Sequence, residues 1–143
     1  VDDLDDELVD RTAAFFDEYF PGVFGNSCDP ELFRWKLGPY NPAGQGILAV
    51  AVADDDAAIA GVMSATMKRM AIGARSVVGS ETGDTFTHPD FRRSGRAAEI
   101  APGTTNDHYL NRSVFGRLVD EVSRALADRA VEHAMALALP PQS

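Results

Sequence analysis

The chain predicts an α+β fold. Two helices come first, a three-stranded antiparallel meander follows, and a further helix crosses over to a final strand lying parallel to the third. Three observations carry this reading. Residues 47–87 hold an apolar run and two longer strand-like runs, separated by turns at Asp54-Asp55-Asp56 and Gly73-Ala74. Residues 114–130 are strongly amphipathic at helical spacing. The apolar segment HAMALAL, residues 133–139, follows that helix and ends at Pro140-Pro141. A chain of 143 residues fits a single domain spanning 1–143.

Residues 3–20 read as the first helix. Leu8, Thr12, Phe15, Phe16 and Tyr19 recur along one face, and acidic residues crowd the first turns, where the helix dipole favours them. Pro21-Gly22 ends it. Asp29 is a cap and Pro30 the first residue of a short second helix, which carries Leu32, Phe33, Trp35 and Leu37 and stops at Gly38-Pro39. After a Pro/Gly turn at 40–46, Ile47 to Ala53 is continuously apolar, as expected of a strand covered on both faces. In the run 58–70, Met63, Ala65 and Met67 point one way and Ser64, Thr66 and Lys68 the other. In the run 76–87, Gly79 and Gly83 mark a bulge or a close backbone approach. Residues 96–113 carry turn chemistry and no apolar period. In the helix from Val114, the residues Phe115, Leu118, Val119, Val122 and Leu126 form the apolar face.

Composition narrows the function. A net charge of −9 argues against a nucleic-acid partner and is compatible with a cationic amine. No apolar run reaches the ~20 residues of a membrane span. The acidic start lacks the pattern of a signal peptide, and a single cysteine, Cys28, permits no internal disulfide, so a cytoplasmic location is expected. His88, His108 and His133 are too scattered for a metal-ligand pair, and no metal is expected. Gly44-Gln45-Gly46 lacks the lysine of a P-loop, and no serine sits in a G-x-S-x-G elbow. Eleven arginines stand against two lysines, Lys36 and Lys68.

The most informative stretch is DTFTHPDFRRSG, residues 84–95, between the third strand and the amphipathic helix. An Arg-Arg-Ser-Gly turn gathers backbone N–H groups and two guanidinium groups at one point. With a helix N-terminus nearby, that point suits a diphosphate. The run His88-Pro89-Asp90-Phe91-Arg92-Arg93-Ser94-Gly95 resembles the acetyl-CoA-binding motif of the GNAT (Gcn5-related) N-acetyltransferases. The likeness extends from about Trp35 to Leu139. It includes the turn Asn41-Pro42-Ala43-Gly44 and the helix start Val114-Phe115-Gly116-Arg117-Leu118.

The resemblance implies acetyl transfer from acetyl-CoA to a primary amine of a small molecule or a protein. It also implies that backbone groups of Phe86, Thr87 and His88 pair with the pantetheine arm, and that Arg92, Arg93, Ser94 and Gly95 hold the pyrophosphate. Such transfer needs a base for the amine proton. Glu81 is the first candidate, at a spacing before Arg92 similar to the glutamate of histone-type members, and Asp84 is the second. Tyr109 is a weaker candidate acid, and Trp35 with Phe33 either walls an acceptor pocket or packs a helix. Two departures stand out. Residues 96–113 intervene between Gly95 and the helix, and the chain stops before the helix and two strands that usually follow in the family. The alternative is a non-catalytic module of the same fold that has lost the cofactor and pairs through an exposed sheet edge, as in a homodimer.

Overall fold

The structure, a computed structural model, describes residues 4–21, 29–53, 58–92, 113–129 and 133–136. Two helices, α1 (Asp6–Tyr19) and α2 (Pro30–Leu37), precede strands β1 (Ile47–Val52), β2 (Ile59–Ile72) and β3 (Arg75–Thr87). Helix α3 (Val114–Asp128) and strand β4 (His133–Ala136) follow. The sheet runs β1-β2-β3-β4. The first three strands are antiparallel, and β4 lies parallel to β3, pairing Gly79–Thr82 with His133–Ala136. This is the α+β arrangement expected from the sequence.

The caps explain the helix boundaries. Asp5 accepts from the Leu8 amide at 3.2 Å, so α1 begins after it rather than at residue 3. Asp29 accepts from the Glu31 amide ahead of Pro30, and Ser113 accepts from the Gly116 amide at the head of α3. The β2–β3 hairpin turns at Gly73, whose φ of +61° a residue with a Cβ adopts at a cost. That turn lets β2 extend to Ile72 and β3 begin at Arg75.

The sheet is the middle of three layers. On one face Ile47, Ala49, Met63, Ala65 and Met67 pack with Leu118, Val122 and Leu126 of α3. On the other, Ile59 and Val62 pack with Val9, Phe15 and Phe16 of α1 and Phe33 and Leu37 of α2. The unbroken apolar character of β1 follows. It is an edge strand, yet Ile47 and Ala49 face α3 while Leu48 and Val50 pack against the other cluster. Gly61 brings α3 close to the sheet. A Cβ there would stand 2.8 Å from Val114 Cγ1 and 3.1 Å from Leu118 Cδ1. Arg34 pins α2 to α1 through Asp6 and Asp10, each at 2.7 Å, and also reaches Glu31. Its hydrogen bonds to Asp6 and then Asp10 push the guanidinium further above its already high pKa.

Aromatic rings gather around Phe86 and His88. Phe86 lies 5.6 Å from Phe15, 5.2 Å from Tyr19 and 4.7 Å from Phe20. Desolvation, reinforced by the charges of Glu18 and Asp90, raises the Tyr19 hydroxyl above its ordinary pKa of 10.0. The folded chain therefore holds the Tyr19 proton more tightly than the unfolded chain does. The associated stability is complete below pH 10.0 and is lost as pH climbs through the raised value. Of the three tyrosines, Tyr19 is expected to ionise above the ordinary value in an alkaline absorbance titration. Tyr19→Phe should remove that step and flatten the fall in Tm at high pH. A Tyr19 that ionises at the ordinary value would contradict this.

Candidate active site

β3 departs from a regular ladder in its second half. Val62 pairs with Phe86, but Ser64 pairs with Gly83, so two steps along β2 span three along β3. The extra residue makes a β-bulge. Within it, Asp84 has φ +44°, a left-handed conformation that few residues other than glycine, asparagine and aspartate accept. The glycine at 83 had marked this stretch for a bulge in the sequence.

The Asp84 side chain is fixed from two sides. The Ser64 hydroxyl donates to Oδ2 at 2.6 Å, with the Gly83 carbonyl 3.1 Å from the same hydroxyl. Lys36 Nζ, at the end of α2, donates to the same carboxylate oxygen and lies 4.7 Å above the Phe33 ring. The pair is sheltered, the side chains being 20% (Lys36) and 10% (Asp84) exposed. A second pair lies beside it, where Lys68 of β2 donates to Glu81 of β3. That pair is wetter, with 49% and 23% of the two side chains exposed.

Both pairs line one cleft of about 700 Å³, walled by Trp35 and Pro42 as well. Asn41 shapes its floor. The side-chain amide donates to the carbonyls of Lys36 (3.1 Å) and Met67 (3.0 Å), and its oxygen accepts from the Ala43 amide, so the α2–β1 turn is tied to β2. Trp35 is 62% exposed, whereas Phe33 is fully buried. The indole is thus at the cleft and the phenyl ring in the core.

A second, shallower cleft of about 350 Å³ is lined by the residues of β3 that follow Asp84. Thr85, Phe86 and Thr87 form one wall, Phe91 and Arg92 stand at one end, and Ser113, Val114 and Phe115 of the α3 N-terminus form the other wall. Arg92 Nε donates to the Thr87 carbonyl at 2.9 Å, and its guanidinium lies 4.8 Å from the Phe86 ring. Helix geometry leaves the first amides of α3 without intrahelical acceptors, and the dipole adds positive charge at that end. Phe115, assigned to the apolar core face from periodicity, is exposed at this cleft instead. It sits at the edge of the helical stripe, where the sheet no longer covers it.

The structure thus brings Glu81 and Asp84 into the first cleft and Phe86, Thr87 and Arg92 into the second. His88 lines neither of these clefts. Its backbone amide donates to the Ala60 carbonyl at 2.9 Å, its Nδ1 accepts from the Asp90 amide at 3.1 Å, and its ring packs against Phe15, Tyr19 and Phe91. Arg93, Ser94, Gly95 and Tyr109 lie outside the described residues. Lys36, Ser64, Lys68 and Asn41 belong to the first cleft or its support and were not singled out from the sequence as site residues. Their rarity, two lysines in an arginine-rich chain, is the one signal that could have drawn notice to Lys36 and Lys68. Among the described residues no group of His, Cys, Asp and Glu could hold a metal ion, and no helix is long and apolar enough to cross a membrane.

No protein-family model and no curated protein sequence matches the chain. Solved structures do. An acetyltransferase of Trypanosoma brucei superposes with a TM-score of 0.57 at 10% identity, over 96% of this chain and 81% of that one. Glucosamine-6-phosphate N-acetyltransferase of Arabidopsis thaliana gives 0.60 at 7% identity, over 96% and 80%. An acetyltransferase of Vibrio fischeri gives 0.53 at 14% identity, over 95% and 90%. The fold is therefore that of the GNAT N-acetyltransferases.

Proposed function

We propose that this chain is an N-acetyltransferase that moves an acetyl group from acetyl-CoA to a primary amine. The observation that carries the reading is the junction at the β3 bulge. A cleft with two carboxylates and a cleft walled by strand residues and a helix N-terminus are lined by consecutive residues of β3, Asp84 and Thr85.

The second cleft fits the cofactor by its donor chemistry. Thr85, Phe86 and Thr87 line this cleft, and their backbone groups suit an amide-bearing arm. The α3 amides and Arg92 supply donors and positive charge for a diphosphate. When bound, acetyl-CoA would supply the activated acyl group. Arg93, Ser94 and Gly95 remain part of the proposed phosphate cradle, and His88 positions it through the aromatic cluster.

In the first cleft the Glu81 carboxylate takes the proton from the acceptor ammonium or from the attacking amine, directly or through one water. Asp84, tied to Lys36 and Ser64, keeps the bulge in its left-handed shape and so holds the backbone at the acyl-transfer point. With its proton held by Glu81, the amine would be free to take the acyl group, and the proton released there would balance the thiol set free.

Titration calorimetry of the protein with acetyl-CoA, paired with thermal melting, tests the reading. Binding in the micromolar range and a rise in Tm are expected, since a ligand held at about a hundred times its Kd stabilises by ~2.7 kcal/mol. No heat and no thermal shift at saturating cofactor would leave only a non-catalytic module of the same fold.

A further inference from the structure

We infer that the acceptor is a small zwitterionic amine, one molecule carrying both the reacting amine and a carboxylate, with an apolar substituent. This names the substrate of the cleft just described and rests on the transferase reading.

The charges of the first cleft carry the inference. The chain as a whole has a net charge of −9, yet this cleft is balanced: Lys36 and Lys68 stand against Glu81 and Asp84. Both lysines of the chain are here, while the eleven arginines supply its other strong bases. A polycation entering the cleft would meet two ammonium groups, and a polyanion two carboxylates. Either would leave a charge poorly compensated in a concave site, which is costly. A zwitterion can instead exchange partners, its ammonium taking Glu81 and its carboxylate taking Lys68, with every charge still paired.

The two pairs divide the work by their exposure. The Lys36–Asp84 pair is sheltered and also held by Ser64, so it stays closed as part of the bulge. The Lys68–Glu81 pair is wetter, and an exposed ion pair is weak enough to open for a ligand at little cost. When it opens, the substrate ammonium comes to rest on the proposed base, so recognition and deprotonation use the same carboxylate. Trp35, 62% exposed, and Pro42 provide an apolar wall beside these charges. An exposed indole over such a cleft suits a hydrocarbon or aromatic substituent.

The test uses the full chain and two independent readouts. Trp35 is the chain's only tryptophan, so its fluorescence reports occupancy of this cleft without acetyl-CoA. Thiol release from acetyl-CoA reports transfer. The probes are phenylalanine, phenylalaninamide (which keeps the amine but lacks the carboxylate, like a peptide N-terminus) and spermidine. Phenylalanine is expected to bind roughly ten- to a hundredfold more tightly than its amide, the worth of one charge-assisted contact. Lys68→Met should erase that preference, and Lys68→Glu should reverse it in favour of the amide and spermidine. Equal or tighter binding of the amide or spermidine to the unaltered protein overturns the inference, and so does the absence of any response to all three probes. Selective phenylalanine binding without thiol release upholds the recognition and defeats the transferase reading, so the two failures are separable.

Discussion

Glu81→Gln is expected to lower kcat/KM for acetyl transfer by about 10²–10⁴-fold, the usual worth of a positioned general base. The fold should hardly notice. Glu81 is partly exposed, its partner Lys68 is half exposed, and glutamine keeps an oxygen that can accept from that lysine. An exposed pair contributes about 0–1 kcal/mol, so Tm should move by no more than a few degrees. Glu81→Asp retracts the carboxylate by one methylene and should recover part of the activity. Steady-state kinetics on all three proteins, with melting curves alongside, checks the assignment. If Glu81→Gln keeps activity within about threefold of the parent, the proton has gone elsewhere and Asp84 becomes the base.

Asp84→Ala should cost both stability and activity. It leaves Lys36 Nζ in a sheltered position without its carboxylate and removes the nearer of the two acceptors of the Ser64 hydroxyl, leaving the Gly83 carbonyl at 3.1 Å. It also places a residue poorly suited to φ +44° at the centre of the bulge. Together these should destabilise the chain by about 2–3 kcal/mol, below the cost of breaking a fully buried pair because Lys36 is still one-fifth exposed. For a domain of this size that is a fall in Tm of roughly 5–10 °C. Asp84→Asn separates the causes. Asparagine accepts the left-handed conformation and can still accept from Ser64, so it should recover most of the stability. A melting series in which alanine and asparagine are equally mild would show that neither the ion pair nor the backbone conformation matters at this position.

Much of the fold was legible because its signals are local. Asp29-Pro30 states a helix start within two residues. Gly73 states a turn by itself, and the spacing of Leu118, Val122 and Leu126 states a buried helical face. The strand register was not legible at this level. One extra residue in β3 shifts the pairing from Phe86 to Gly83 and turns Asp84 into the cleft, and only a glycine nearby hinted at it. The setting of His88 was likewise not legible. It stands inside the cofactor-like run, but Phe15 and Tyr19, from a helix nearly seventy residues earlier, fix its ring in the aromatic cluster.

The sequence alone determined the order of helices and strands, the parallel return of the last strand, and two candidate carboxylates. The element order follows from periodicity, caps and turn chemistry within a few residues of each position, the parallel return from the helix crossover, and the carboxylates from the resemblance of the 84–95 run to a family motif. Only the tertiary structure decided that each carboxylate meets a lysine, because Lys36 and Asp84 are 48 positions apart. No local pattern encodes a contact that forms only when α2 packs across the sheet. The same packing set two lysines against two carboxylates in one cleft of an acidic chain, a balance that composition does not show.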